Sequence, residues 1–195
     1  KLITAYKKWG TPKDLDKDPI KYLLKLYVKY HKHEKELEEA ARLWFNRLEN
    51  HDKEATALWK KFRDLSLKEF KVLYKRLDIK FESYAGEASY NEKLKAVVPL
   101  LESKHLLEED QGAKIVRFED LPPAIVQKSD GSSIYLTRDI AAFDYRVKTY
   151  HPERILYVTG AEQILHMQQL FRIMGLLGEK TEGVHVPFGL MFLPG

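Results

Sequence analysis

The chain has no cysteine in 195 residues, which excludes disulfides, thiolate metal ligation and thiol-based catalysis. It also lacks any apolar run of about 18 residues, so a membrane-spanning helix is excluded. Lys1-Leu2-Ile3 is not the charged start and apolar core of a secretion signal. There is no phosphate-cradling P-loop, no GxGxxG fingerprint and no serine in a nucleophile-elbow pattern. A strong excess of one charge is missing too. The 33 Lys and Arg face 29 Asp and Glu, giving net +4 and a pI near 9.0. That favours a polyanionic partner only mildly and does not indicate a uniformly basic face. What is present is 44% hydrophobic and 32% charged residues. This is enough apolar material for a core, at a length that suits one large domain or two small ones.

The chain changes character near residue 112. Residues 1–111 are charged and mostly helical in pattern, and residues 112–195 are richer in β-branched residues with Gly and Pro punctuation. Asp18-Pro19 reads as a helix start, with an acidic N-cap and Pro in the first turn. Ile20, Leu23, Leu24, Tyr27 and Val28 follow at helical spacing. The stripe breaks over residues 32–36 and resumes at Leu37, Ala41, Trp44, Phe45 and Leu48. A second helix is predicted from about Asp52 to Leu65. Ser66-Leu67-Lys68-Glu69 has the capping-box pattern that starts a third. Residues 79–84 alternate and predict a short strand. Asn91 is placed as the cap of a further helix, with a kink or break at Pro99.

Beyond residue 112 the pattern is strand and helix in alternation. Residues 113–118 and 124–127 are short apolar runs. Ile134-Tyr135-Leu136 predicts a strand end and Thr137 a helix cap. Ile155 to Thr159 reads as a parallel strand covered on both faces. A helix over 164–177 and a last strand over 184–190 complete the run. The fold class predicted is α/β, with a partial Rossmann-like parallel sheet following a large helical insertion.

In an open parallel sheet, ligands bind beyond the carboxyl ends of the strands. Two segments fall at that edge: Tyr135-Leu136-Thr137-Arg138-Asp139 and Gly160-Ala161-Glu162-Gln163. If their strands are parallel neighbours, Tyr135, Asp139 and Gln163 converge on one crevice. A carboxylate, a phenol and an amide together suit a small polar cation, and a guanidinium matches a carboxylate bidentately. Equally open on the residues alone is that Asp139 pairs with a surface base or supports its helix N-terminus. The seven histidines show no close pair with carboxylate support, so no metal site is predicted. The basic residues Lys60, Lys61, Arg63, Lys68, Lys71, Lys75 and Arg76 lie among acids and read as solvated helix faces.

The segment from Ala124 through Tyr135-Leu136-Thr137-Arg138-Asp139 to Ala141 closely resembles the class I arginyl-tRNA synthetases, especially the eukaryotic cytoplasmic type. Asp18-Pro19-Ile20-Lys21, the run from Leu58 to Ser66, and Phe81-Glu82-Ser83-Tyr84-Ala85-Gly86-Glu87 agree in the same order. Ala88 stands where the family usually has Ser. The runs from Tyr157 to Gln163 and Leu165-His166 resemble its second strand-to-helix edge. The resemblance implies ATP-dependent activation of L-arginine to an arginyl adenylate, then transfer to an arginine-accepting tRNA. Residues 1–111 would be the family's helical insertion, with the short strand near 79–84. Residues 112–195 would be the second half of its nucleotide-binding catalytic fold. Asp139 and Glu87 would hold the guanidinium, Tyr135 would line the same pocket, and Gln163 would contact the α-amino end. Gly160 and His166 would meet the adenylate or its ribose. ATP is implied as substrate, with Mg2+ accompanying it. The implied location is the cytoplasm, with neither membrane nor DNA as partner.

The family's HIGH-type and KMSKS-type motifs are not found in this sequence, so no catalytic residue is assigned within it. The expectation is an internal piece, inactive by itself, ending in Met191-Phe192-Leu193-Pro194-Gly195. Two other readings stand beside it: a non-catalytic tRNA-binding or scaffold module derived from a synthetase, and a truncated product whose last five residues are an artefact.

Overall fold

The computed structural model describes residues 1–190. The five residues 191–195, which follow the last predicted strand, lie outside the described residues. Two compact units are formed, Lys1–Glu82 and Ser83–Gly195. The composition shift near 112 therefore does not coincide with the compact boundary. Residues 87–103 pack on the later helix 135–150 and so fall in the second unit.

The first unit is helical: α1 (Leu2–Trp9), α2 (Pro12–Lys17), α3 (Pro19–Lys32), α4 (Glu34–Glu49) and α5 (Lys53–Arg76). Local chemistry sets these boundaries. The Asp18 side chain accepts the Lys21 N–H at 3.3 Å ahead of Pro19, and the Asp52 carboxylate accepts the Ala55 N–H at 2.9 Å. The stripe broken over 32–36 is the α3–α4 junction at His33. Ala5, Leu26, Tyr30, Leu37 and Ala41 form one buried cluster, and Ile3, Leu15, Leu23 and Phe62 another. Two expectations fail here. The capping-box pattern at Ser66 starts no helix, because α5 runs through it unbroken, and a cap is needed only where an end leaves N–H groups unpaired. Residues 79–84 form no strand, since alternation needs a ladder partner and none pairs with them.

The second unit begins with a 3-10 stretch, Glu87–Ala96, then α6 (Val97–Ser103). Asn91 lies inside that stretch and caps nothing. Pro99 sits in the first turn of α6, where its missing N–H costs no intrahelical bond, so no kink follows. Strands β1 (Glu108–Asp110), β2 (Ala113–Val116) and β3 (Ala124–Gln127) form an antiparallel sheet. After α7 (Tyr135–Tyr150) come β4 (Arg154–Gly160), a 3-10 turn Ala161–Gln163, α8 (Ile164–Leu176) and β5 (Glu182–Phe188). β4 and β5 pair in parallel, with Tyr157 opposite His185 and Gly160 opposite Phe188. The architecture is mixed α/β.

Among the described residues only the β4–β5 pair is parallel, and β3 is not its neighbour. Nor is β4 covered on both faces. Tyr157 is buried, while Leu156 and Val158 on the other face are 59% and 64% exposed. Residues 134–136 are not strand. Ile134 is the N-cap and Tyr135 opens α7, and Thr137 lies in the first turn. The buried Thr137 hydroxyl accepts the Ile134 N–H at 3.2 Å and donates to the Val126 carbonyl, pinning α7 to β3. Val126, Leu136, Ile140, Phe143, Leu170 and Ile173 build the core that fixes α7 against α8.

Candidate functional site

The site is set by two helix beginnings. α7 presents Tyr135 and Asp139 one turn apart on one side. β4 ends at Gly160 and the 3-10 turn that follows makes Gln163 the N-cap residue of α8. His166 stands one turn into α8, and its Nε2 lies 2.6 Å from Asp139 Oδ2. Both side chains are half-buried, 22% exposed for His166 and 30% for Asp139. With the carboxylate ionised, Nε2 carries the proton and donates. This pairing corrects one sequence expectation. The expectation that no close pair of histidines has carboxylate support is answered in part by local spacing, His31 with Glu34 and His33 with Glu36, whereas the partner of His166 stands 27 residues upstream, a separation no spacing rule covers.

The other assigned residues are placed as follows. Tyr135 is 70% exposed and contributes nothing to the core. Gln163 is exposed at the start of α8. Glu87 is exposed as the first residue of the 3-10 stretch, which packs along α7 with Tyr90 and Tyr145 in edge-to-face contact. Among the described residues, no hydrogen bond or ion pair joins Glu87, Tyr135 or Gln163 to Asp139. Gly160 is half-buried, and the Glu162 carboxylate folds over it into the space a β-carbon would take.

Beneath Asp139 lies a group that sequence reasoning missed. Arg146, two turns further along α7, donates to the Tyr157 hydroxyl at 3.1 Å. Its guanidinium lies 5.6 Å from the Tyr90 ring centre and 5.4 Å from that of Tyr157. Among the described residues, no carboxylate closes an ion pair on it. Burial pushes the Tyr157 phenol up to about 12, against the opposing pull of Arg146, and the nearby Asp139 charge adds to the rise. A signal did exist: Tyr90, Arg146 and Tyr157 are polar residues at apolar positions of their elements. On the strands, Thr159 Oγ1 and His185 Nε2 meet at 2.9 Å, a second histidine contact at the carboxyl end of the parallel pair.

The family described as tRNA synthetases class I (R), catalytic domain, matches residues 1–193. The chain belongs to the class I arginyl-tRNA synthetase family. Among curated relatives, the arginine–tRNA ligase of Halothermothrix orenii is 50% identical over 200 residues, covering 99% of this chain and 35% of that protein. That of Clostridium perfringens is 48% identical over 198 residues, covering 98% of this chain and 35% of that protein. The chain thus spans about a third of the length of these synthetases. The crystal structure of arginyl-tRNA synthetase from Plasmodium falciparum superimposes with a TM-score of 0.79 at 32% identity, covering 96% of this chain and 33% of that one. The Thermus thermophilus arginyl-tRNA synthetase shares the fold, with a TM-score of 0.72 at 16% identity, over 96% of this chain and 39% of that one. The eukaryotic cytoplasmic affinity read from the sequence is corrected: the curated relatives at about half identity are bacterial.

Proposed function

We propose that this chain carries the arginine-binding part of an arginine–tRNA ligase. The reaction activates L-arginine with ATP to arginyl adenylate and transfers the arginyl group to its tRNA, in the cytoplasm. The observation that carries the reading is Asp139, a half-buried carboxylate on the first turns of α7, facing the start of α8. In that partly dry setting a carboxylate binds a guanidinium by charge-assisted hydrogen bonds with less screening than at an open surface. Glu87 supplies the second acceptor, Tyr135 lines the side-chain pocket and Gln163 takes the α-amino end. Gly160 lies at the edge that would meet the adenylate or its ribose. A pocket with two carboxylates makes charge-assisted hydrogen bonds to a guanidinium that a neutral isostere cannot match, which is how it rejects citrulline.

Magnesium would arrive on the phosphates of ATP. Among the described residues, no three His, Asp or Glu side chains gather to hold an ion by themselves. The sequence contains neither phosphate-handling motif, so the 195 residues are expected to show no arginine-dependent pyrophosphate exchange. Equilibrium dialysis against labelled arginine and labelled citrulline tests the pocket directly. Retention of arginine alone supports it, and equal retention or none contradicts it.

A second reading, a non-catalytic tRNA-binding module, is favoured by the charge distribution. Residues 1–82 hold 21 Lys and Arg against 14 Asp and Glu, while residues 83–195 hold 12 against 15. The helical unit is therefore +7 and the mixed unit −3, a split hidden by the overall +4. Phosphate contacts make affinity fall steeply with salt. A tRNA gel shift by residues 1–195 that weakens steeply with salt, without arginine retention, would favour this reading.

A further inference from the structure

The hydrogen bond between Asp139 and His166 does more than fill space between two helices. We propose that His166 is a positioning residue for the substrate's guanidinium, holding the Asp139 carboxylate at Oδ2 in one orientation towards the ligand. The inference rests on the reading of Asp139 as the guanidinium acceptor and deepens it, moving His166 from the nucleotide side of the site to the amino-acid side.

Three observations carry it. First, a carboxylate with two free oxygens takes a guanidinium as a two-bond fork. With Nε2 at 2.6 Å from Oδ2, the carboxylate is held in one rotamer, and Oδ1 and the second lone pair of Oδ2 keep a fixed direction for that fork. The guanidinium then meets the carboxylate from one direction, and its remaining N–H groups are left for another acceptor, the role given to Glu87. Secondly, the two side chains are only 22% and 30% exposed, so the pair is screened less than a surface contact and holds its geometry. Thirdly, His166 stands three residues after Gln163, so the two share one side of the α8 start. The bond from His166 to Asp139 therefore fixes the span between the group that takes the guanidinium and the group that takes the amino end. Such a link makes the pocket selective for side-chain length as well as for charge.

The test uses side-chain nitrogen NMR of the histidines in the 195-residue chain, titrated with L-arginine and with L-homoarginine, one methylene longer. In the free chain, His166 should be the Nε2-protonated tautomer, a state that Asp139→Asn disturbs. Arginine should move the His166 signal more than those of the other six histidines. His166→Gln keeps a donor for Oδ2 and should bind arginine within about threefold of wild type, while His166→Ala should bind roughly tenfold or more weakly, the cost of losing one charge-assisted bond. His166→Ala should also lose the preference for arginine over homoarginine. Backbone spectra confirm that each variant is folded. If arginine moves backbone signals at Tyr135 and Gln163 but leaves His166 unmoved, and His166→Ala binds like wild type, the positioning role is overturned and the arginine pocket stands. If arginine moves no signal at all, the pocket falls and the positioning role with it.

Discussion

Arg146 of α7 donates to the Tyr157 hydroxyl of β4 at 3.1 Å, joining a helix and a strand of the second unit by a half-buried cation and a buried phenol. The arrangement stays intact only while the phenol keeps its proton. Tyr157 is pushed up to about 12, above the ordinary 10.0, chiefly by burial. A raised value means that the folded form favours the protonated phenol. The stability it contributes is complete below pH 10 and is lost as pH rises through 12. The shift corresponds to something on the order of 2–3 kcal/mol. An absorbance titration of the eleven tyrosines should show late-titrating phenols, Tyr30 among them, and the step near 12 should disappear in Tyr157→Phe.

Thr137 anchors the start of α7. Its hydroxyl both accepts from Ile134 and donates to Val126, and the residue is only 2% exposed. Thr137→Val preserves shape but strands the Ile134 N–H and the Val126 carbonyl. Denaturant unfolding should show a loss of about 1–3 kcal/mol, whereas Thr137→Ser, which keeps the hydroxyl, should cost less.

Acid should loosen the helical unit first at the start of α5. The Asp52 carboxyl is held below its usual range by the Ala55 N–H and by Arg47, and Glu54 is held low by Lys7 and Arg47. A depressed value means that the stabilisation is present above the ordinary carboxylate range and is lost as pH falls through the lowered values. Asp52→Asn retains a capping oxygen but not the charge. Its helical circular dichroism should depend less on pH in that acid window than that of wild type.

Leu170 of α8 is fully buried among Ile140, Phe143 and Ile173. Leu170→Ala should cost about 2–5 kcal/mol by calorimetry, from lost burial plus the cavity left behind. A smaller loss would mean that the α7–α8 contact collapses around the gap, and the Asp139–His166 distance would shift with it.

What could be read from the sequence divides along physical lines. Helix starts with side-chain caps, such as Asp18 and Asp52, are local chemistry and were found where expected. The capping-box pattern at Ser66 was also local, but continuous packing along α5 left it nothing to cap. Strand partners are not local. The antiparallel pairing of β1, β2 and β3 and the isolation of the β4–β5 pair depend on where distant segments meet. For that reason Tyr135, Asp139 and Gln163 do not lie at the ends of neighbouring parallel strands. The two helix starts do face each other, through helix packing rather than adjacent parallel strands. Arg146 and Tyr157 show in the sequence only as polar residues at apolar positions, and their partnership, like that of His166 with Asp139, depends on contacts across 11 to 27 residues.

The central claim is that the Asp139 carboxylate takes the guanidinium of arginine. Calorimetric titration of L-arginine into wild type and Asp139→Asn, side by side, tests it most directly, because Asn keeps the size and the hydrogen-bond oxygen while removing the charge. The account predicts weak but measurable binding by wild type and a loss of roughly tenfold or more in the variant, the usual consequence of removing the anionic member of a charge-assisted pair. Equal affinities for the two proteins would contradict it.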